Sequence, residues 1–126
     1  MTSYLDLSPL YGSSEEISKI LRSGVSGLLN TQRRNLPMAL LDSGACRVEP
    51  RGLPCFLSGD LRINEHPGVA MMHVIFLREH NRIAKLLEQV NPHWDDERIY
   101  QETRRIVIAE YQHVTYPMNF HQVQLV

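Results

Sequence analysis

The sequence predicts a mainly α-helical fold in which a long αα-hairpin follows an irregular N-terminal loop region. One helix is predicted to begin at Pro67, because the first turn of a helix leaves unpaired the N–H that proline lacks. It ends at the turn residues Asn91 and Pro92, and a second helix is predicted from about Asp95 to Thr115. Apolar residues recur three and four positions apart in both segments, and the short turn between them predicts a hairpin.

Length and charge exclude some classes of function. The chain has 126 residues and a formal net charge of −1, which fits one small domain. This charge gives no electrostatic reason to expect nucleic acid or an anionic membrane surface as a partner. No apolar run approaches the length of a membrane span, and no charged-then-apolar signal peptide follows Met1.

At the N-terminus Thr2, Tyr4, Asp6 and Ser8 alternate, so an extended backbone would place them on one side. Oxygen-bearing side chains in this arrangement suit a hard cation such as calcium. Calcium takes roughly six to eight ligands, however, and Asp6 is the one charged residue of the four. The residues alone leave two possibilities: a partial calcium site, or a strand or loop that ends at the turn of residues 9–12.

A short helix is predicted after this turn. Ser13 or Ser14 would cap it, because Glu15 and Glu16 then lie in the first turn, where the helix dipole favours negative charge. The following residues 24–42 are predicted to be loop-like.

Cys46 and Cys55 are the two cysteines of the chain, with eight residues between them. This spacing is longer than that of a zinc knuckle, and no histidine lies nearby in sequence. Two possibilities remain, a small disulfide loop or two unlinked thiols. Closing such a loop would contribute about 2.5–3 kcal/mol in the chain-entropy estimate.

Two charged residues, Arg62 and Glu65, precede the long helix that begins at Pro67. A permanently protonated guanidinium can stabilise the negative charge that develops on a departing oxygen when a peroxide bond breaks. The alternative is that Arg62 is a surface ion-pair partner. For Glu65 the alternative is an ordinary carboxylate near the positive N-terminus of the helix.

The long helix carries two histidines and an apolar stretch. From Val69 to Leu77 nearly every face is apolar, which predicts burial on all sides. Two full turns place His73 and His80 about 10 Å apart, too far to share one metal ion held at about 2 Å from each. Both are therefore predicted to be core histidines with satisfied ring nitrogens.

Several motifs resemble the animal haem peroxidase family. The pattern G-D-x-R-x-N-E-x-P begins at Gly59, and M-H-x-x-x-L-R-E-H-N-R begins at Met72. Two further patterns of the family, T-x-[aromatic]-x-D-x-S and N-P-x-W-x-x-E, begin at Thr2 and Asn91. The resemblance implies that the chain is a fragment of the family's helical fold.

The resemblance ends at Tyr116. Residues 1–116 are expected to be a partial peroxidase domain, and residues 117–126 a divergent tail. Pro117 is expected to break the second helix.

Site residues follow from the resemblance. Arg62 is expected to be catalytic beside the peroxide, and Glu65 to form an ester link to a methyl group of haem b. One class of family members has a methionine next, for a further haem link; His66 stands there, so that link is not expected. The resemblance also implies a disulfide between the two cysteines. It implies a calcium site as well, formed by Thr2, Asp6, Ser8 and the backbone carbonyl of Tyr4.

The resemblance implies a haem-dependent peroxidase that uses hydrogen peroxide and a reducing substrate or halide, in a secreted or extracellular setting. The family's distal histidine is expected upstream of Met1 and its proximal histidine downstream of Val126. The remainder of the peroxidase domain is therefore an expected partner, and the isolated chain is expected to be inactive. The alternative is a non-catalytic helical interaction or regulatory module derived from a peroxidase.

Overall fold

The structure is a computed structural model that describes residues 4–40 and 55–123, with side chains described as far as Tyr116. Two short helices, α1 (Ser8–Tyr11) and α2 (Glu15–Leu21), precede two long ones, α3 (Pro67–Val90) and α4 (Asp96–Val123). A 3₁₀-helix, Leu61–Asn64, lies just before α3. The expectation of a mainly helical fold is confirmed.

The two long helices pack as the predicted αα-hairpin. Pro67 stands in the first turn of α3, as expected. At the other end the Asn91 N–H and side-chain amide both donate to the Leu87 carbonyl, at 2.8 and 3.2 Å. The Asp95 carboxylate accepts from the Arg98 N–H at 2.8 Å and starts α4. These local caps place the turn where the sequence predicts it.

Two short strand pairs lie between α2 and the 3₁₀-helix. Thr31–Gln32 (β1) pairs antiparallel with Leu36–Pro37 (β2), and Ala39–Leu40 (β3) with Cys55–Phe56 (β4). The sequence does not indicate any of the four, because strands of two residues are too short for an alternating pattern to show.

The N-terminal segment packs onto the hairpin and completes the core. Ser14 caps α2, as predicted, by accepting from the Ile17 N–H. Leucines and tyrosines from the N-terminal part meet α3 and α4 in one cluster, so this segment covers one side of the hairpin. The cluster contains Leu7, Leu10, Tyr11, Leu21, Leu29, Leu77, Ile83, Tyr100 and Val107.

The first half of α3 does not show the predicted burial on all sides. The exposed fractions of Val69, Met71, Met72 and Ile75 range from 39 to 59%. The prediction was wrong for this chain, because each helix of a hairpin can bury against its neighbours only the face it turns toward them. Among the described residues these four side chains form an exposed apolar face, called here the α3 apolar face.

The helix α4 continues past Pro117 to Val123, so the expected break at Pro117 was wrong. Proline removes one helical hydrogen bond, the one that its own N–H would give to the His113 carbonyl. The backbone on either side keeps its helical course. None of the helices in the described ranges is long and apolar enough to cross a membrane.

Candidate functional site

Arg62 lies on the 3₁₀-helix, and Asp60 fixes its position. The Asp60 carboxylate caps this helix by accepting from the Arg62 N–H at 3.0 Å. The same carboxylate accepts from the guanidinium, with Nε 3.1 Å from both oxygens and Nη2 2.7 Å from Oδ2. Backbone and side chain of Arg62 thus bind one carboxylate two residues away, which holds the guanidinium in one orientation.

The electrostatics of this pair follow from its geometry. Hydrogen bonds from the Arg62 side chain, and then from its backbone, lower the pKa of Asp60 to about 2. The hydrogen bond to Asp60 raises the pKa of Arg62 in turn. Arg62 is the more exposed partner, with 52% of its side chain accessible against 17% for Asp60. The pair therefore stays ionised, and about half of the Arg62 side chain remains accessible.

Glu65 follows the 3₁₀-helix directly and is exposed. Its N–H donates to the Arg62 carbonyl at 3.0 Å, so the two residues predicted to face haem belong to one turn of the chain. The ring Nδ1 of His66 accepts from the Gly68 N–H at 3.0 Å and caps α3. His66, noted in the sequence because it replaces a family methionine, therefore serves as a helix cap.

The predicted calcium loop is described in part. Thr2 lies outside the described residues, and Tyr4 is 80% exposed. Asp6 Oδ1 accepts from the Ser8 N–H at 2.9 Å, and Ser8 is buried at the start of α1. Within the described ranges no group of three or more His, Cys, Asp or Glu side chains could hold a metal ion. Asp6 supplies the one carboxylate among the four predicted ligands.

Of the predicted disulfide pair, Cys55 lies in β4 and is buried, with 3% exposed. Cys46 lies outside the described residues. The pairing stays a prediction.

The histidines of α3 differ from each other. His80 is buried as predicted, and its Nδ1 lies 3.0 Å from the Tyr11 hydroxyl and its Nε2 2.9 Å from the Gly27 carbonyl. For His73 the prediction was wrong in part. Its Nδ1 donates to the Val69 carbonyl at 2.9 Å, but its buried Nε2 has no partner in the described part of the chain.

Burial lowers the pKa of His80 to about 4, so the ring is neutral at pH 7. With the Gly27 carbonyl as acceptor at Nε2, the proton resides there, and the Tyr11 hydroxyl donates to Nδ1. We call this the Tyr11–His80–Gly27 network. Sequence analysis found His80 but not its partners, since 69 and 53 residues separate them from it.

A second long-range contact, also unforeseen, joins Arg22 to the start of α4. The Arg22 guanidinium donates to Asp96 and Glu97 and lies 4.0 Å from the centre of the Tyr100 ring. Both acidic residues lie in the first turn of α4, where the helix dipole also favours their negative charge.

The chain as a whole is similar to known proteins. The chain belongs to the animal haem peroxidase family, whose pattern it matches over residues 1–118. It is 42% identical over 120 residues to a peroxidase of Drosophila melanogaster and 46% identical over 120 residues to the chorion peroxidase of Aedes aegypti. Both matches cover 92% of this chain, but 17% and 15% of the relatives. The chain thus spans less than a fifth of their length.

Solved structures of related enzymes contain the same fold. Peroxidase A from Dictyostelium discoideum superposes with a TM-score of 0.78 at 36% identity, over 90% of this chain and 24% of that one. A fatty acid alpha-dioxygenase from Oryza sativa superposes with a TM-score of 0.69 at 28% identity, over 87% and 16%. The expected fragment of the peroxidase helical fold is confirmed.

Proposed function

We propose that this chain forms part of the peroxide-binding side of a haem-dependent peroxidase, with Arg62 as its catalytic residue. The observation that carries the proposal is the half-exposed side chain of Arg62, whose guanidinium is held by the carboxylate of Asp60. Such a fixed cation stabilises the negative charge on the departing oxygen of a peroxide without having to gain or lose a proton.

The residues present fit haem b. Arg62 and Glu65 lie in one turn and are both exposed, so a bound group can meet a guanidinium and a carboxylate together. When bound, haem supplies the iron at which the peroxide bond is cleaved. Glu65 would anchor the group through an ester to one of its methyl groups, which would lose one hydrogen, with hydrogen peroxide as the two-electron oxidant. His80 is not proposed as an axial ligand, because both of its ring nitrogens are engaged.

The remainder of the peroxidase domain is the proposed partner of this chain. It would supply the distal and proximal histidines and cover the α3 apolar face, whose exposed methionines and β-branched residues support a protein contact. Residues 1–116 would form the peroxidase part and 117–126 a divergent tail. The proposed substrates are hydrogen peroxide and a reducing substrate or halide.

Calcium, a disulfide and a secreted location complete the proposal. Thr2, Tyr4, Asp6 and Ser8 would supply part of a calcium site, which the carboxylate of Asp6 supports and which needs further ligands from outside the chain. A disulfide between the two cysteines is supported by the burial of its Cys55 end and fits an oxidising, extracellular setting.

The experiment uses the chain alone and in a chimaera, in which residues 1–116 replace the matching segment of the Dictyostelium peroxidase. With haemin, we expect the isolated chain to oxidise a donor no faster than free haemin. We expect the chimaera to turn over peroxide and Arg62→Ala to lower its kcat about 10²–10³-fold, as loss of one stabilising donor does.

Arg105→Ala is the matched control, since Arg105 is an exposed arginine paired with Glu102 within α4. Equal turnover in the Arg62→Ala and parent chimaeras would contradict the catalytic role.

The second candidate is a non-catalytic helical interaction or regulatory module, and the α3 apolar face is the observation that favours it. A chimaera that folds without a Soret band, together with an isolated chain that binds a polypeptide through this face, would decide for the module.

A further inference from the structure

Residues 58–62, which lead into the 3₁₀-helix and are called here the turn, pack directly against α1. The Ser58 hydroxyl donates to the Pro9 carbonyl at 3.0 Å, and Ser58 is buried, with 6% exposed. Gly59 packs against the last turn of α1, where the Gly12 N–H donates to the Ser8 carbonyl at 2.8 Å. Two consecutive residues thus attach this turn to one short helix.

Gly59 is required there by closeness rather than by backbone conformation. Its φ does not lie in the left-handed region that favours glycine, unlike those of Gly12, Gly24 and Gly27. A Cβ at position 59 would lie 2.2 Å from the Gly12 nitrogen and 2.5 Å from the Ser8 oxygen. Both are backbone atoms, so any larger residue must push α1 and the turn apart.

The contact between Gly59 and α1 affects Arg62 through one residue, Asp60. Asp60 follows Gly59 directly, and its carboxylate binds both the backbone N–H and the guanidinium of Arg62. Because the Asp60 backbone is attached to the Gly59 backbone, a displacement of Gly59 from α1 moves the carboxylate that orients the guanidinium.

We propose that Ser58 and Gly59 are positioning residues, which orient Arg62 by seating the Asp60–Arg62 pair on α1. Their importance for peroxide chemistry rests on the catalytic role proposed for Arg62. Their effect on the orientation of the Arg62 side chain does not depend on that role. Gly59 of the G-D-x-R pattern therefore packs against α1, and the position of its backbone determines where the Asp60 carboxylate holds the guanidinium of Arg62.

The test is the Nε–Hε signal of Arg62 in ¹⁵N-correlated NMR spectra of the full chain. This signal reports the hydrogen bond from Nε to Asp60 in the folded state, whether or not Arg62 acts on peroxide. Asp60→Ala removes both acceptor oxygens and defines the position of the signal without the hydrogen bond to residue 60. We expect Gly59→Ala to move the signal at least halfway to that position, and Ser58→Ala to move it less in the same direction.

Gly24→Ala is the matched control, because a Cβ at Gly24 meets nothing within 4 Å while its φ of +73° makes alanine unfavourable. It lowers stability without touching α1 or the turn, and we expect its Arg62 signal at the wild-type position. If Gly59→Ala does not fold, Ser58→Ala decides. The proposal is overturned if the folded variants at positions 58 and 59 keep the wild-type signal, or if Gly24→Ala shifts it equally.

Discussion

The Tyr11–His80–Gly27 network predicts that stability depends on pH through a single buried imidazole. In the unfolded chain a histidine has a pKa of 6.5, and burial lowers the pKa of His80 to about 4. Because the pKa is lower in the folded chain, the unfolded chain takes up the proton at a higher pH as the solution is acidified. The contribution of His80 is therefore complete above about pH 6.5 and is lost as the pH falls toward 4.

The size of this loss of stability follows from the difference between the two pKa values. One pKa unit corresponds to about 1.4 kcal/mol, so the full loss is about 3 kcal/mol. About 2 kcal/mol of it falls between pH 7 and pH 5 by the same relation. This is a large share of the free energy of unfolding of a small domain.

The assay is urea denaturation followed by circular dichroism at pH 5 and pH 7, for the wild type and two variants. His80→Gln removes the titrating group and keeps an N–H that can reach the Gly27 carbonyl, so its pH dependence should be smaller by about 2 kcal/mol. His93→Gln, at an exposed histidine, is the control and should retain the wild-type dependence. Equal pH dependence in His80→Gln and wild type would refute the assignment to His80.

Three further predictions concern packing at Gly27, calcium binding and the disulfide. Gly27→Ala should destabilise the fold by about 2–4 kcal/mol in urea denaturation, because its Cβ would lie 2.6 Å from a backbone nitrogen of α4 at a φ of +65°. Gly24→Ala, in open space, should lose about 1 kcal/mol, and equal losses would contradict the packing argument. Calorimetric titration of the isolated chain should show calcium binding no tighter than the millimolar range, and micromolar affinity would show a self-contained site. Intact-mass analysis should show two hydrogens added to Cys46 and Cys55 on reduction; two alkylatable thiols in non-reduced, secreted material would disprove the disulfide.

The sequence predicted those features whose signals are local. Asn91 and Ser14 lie at helix ends and satisfy groups within four residues, and Pro67 lacks the N–H that the first turn of a helix leaves unpaired. Their effect therefore does not depend on the rest of the fold. Arg62 also forms an ion pair with Asp60, two residues away. That pair leaves the proposed catalytic role intact, because it orients the guanidinium.

The features that the sequence analysis missed depend on distant residues or on what covers a surface. The partners of His80 and Arg22 lie more than 50 residues away in sequence, and no local pattern around these residues indicates them. The apolar stretch that begins at Val69 predicts burial, but periodicity reports apolar character and not which neighbours are present. Proline at position 117 predicts a helix end, but α4 continues through it with the loss of one internal hydrogen bond.

The wide sequence separation of the core contacts has a consequence for the order of folding. The hairpin of α3 and α4 closes through a turn of a few residues, which is fast and loses little chain entropy. Tyr11 and Arg22 must instead find partners 69 to 75 residues away. We expect the hairpin to form early in folding and the N-terminal segment to dock last, so that mutations at Tyr11 or Arg22 accelerate unfolding and leave the refolding rate nearly unchanged.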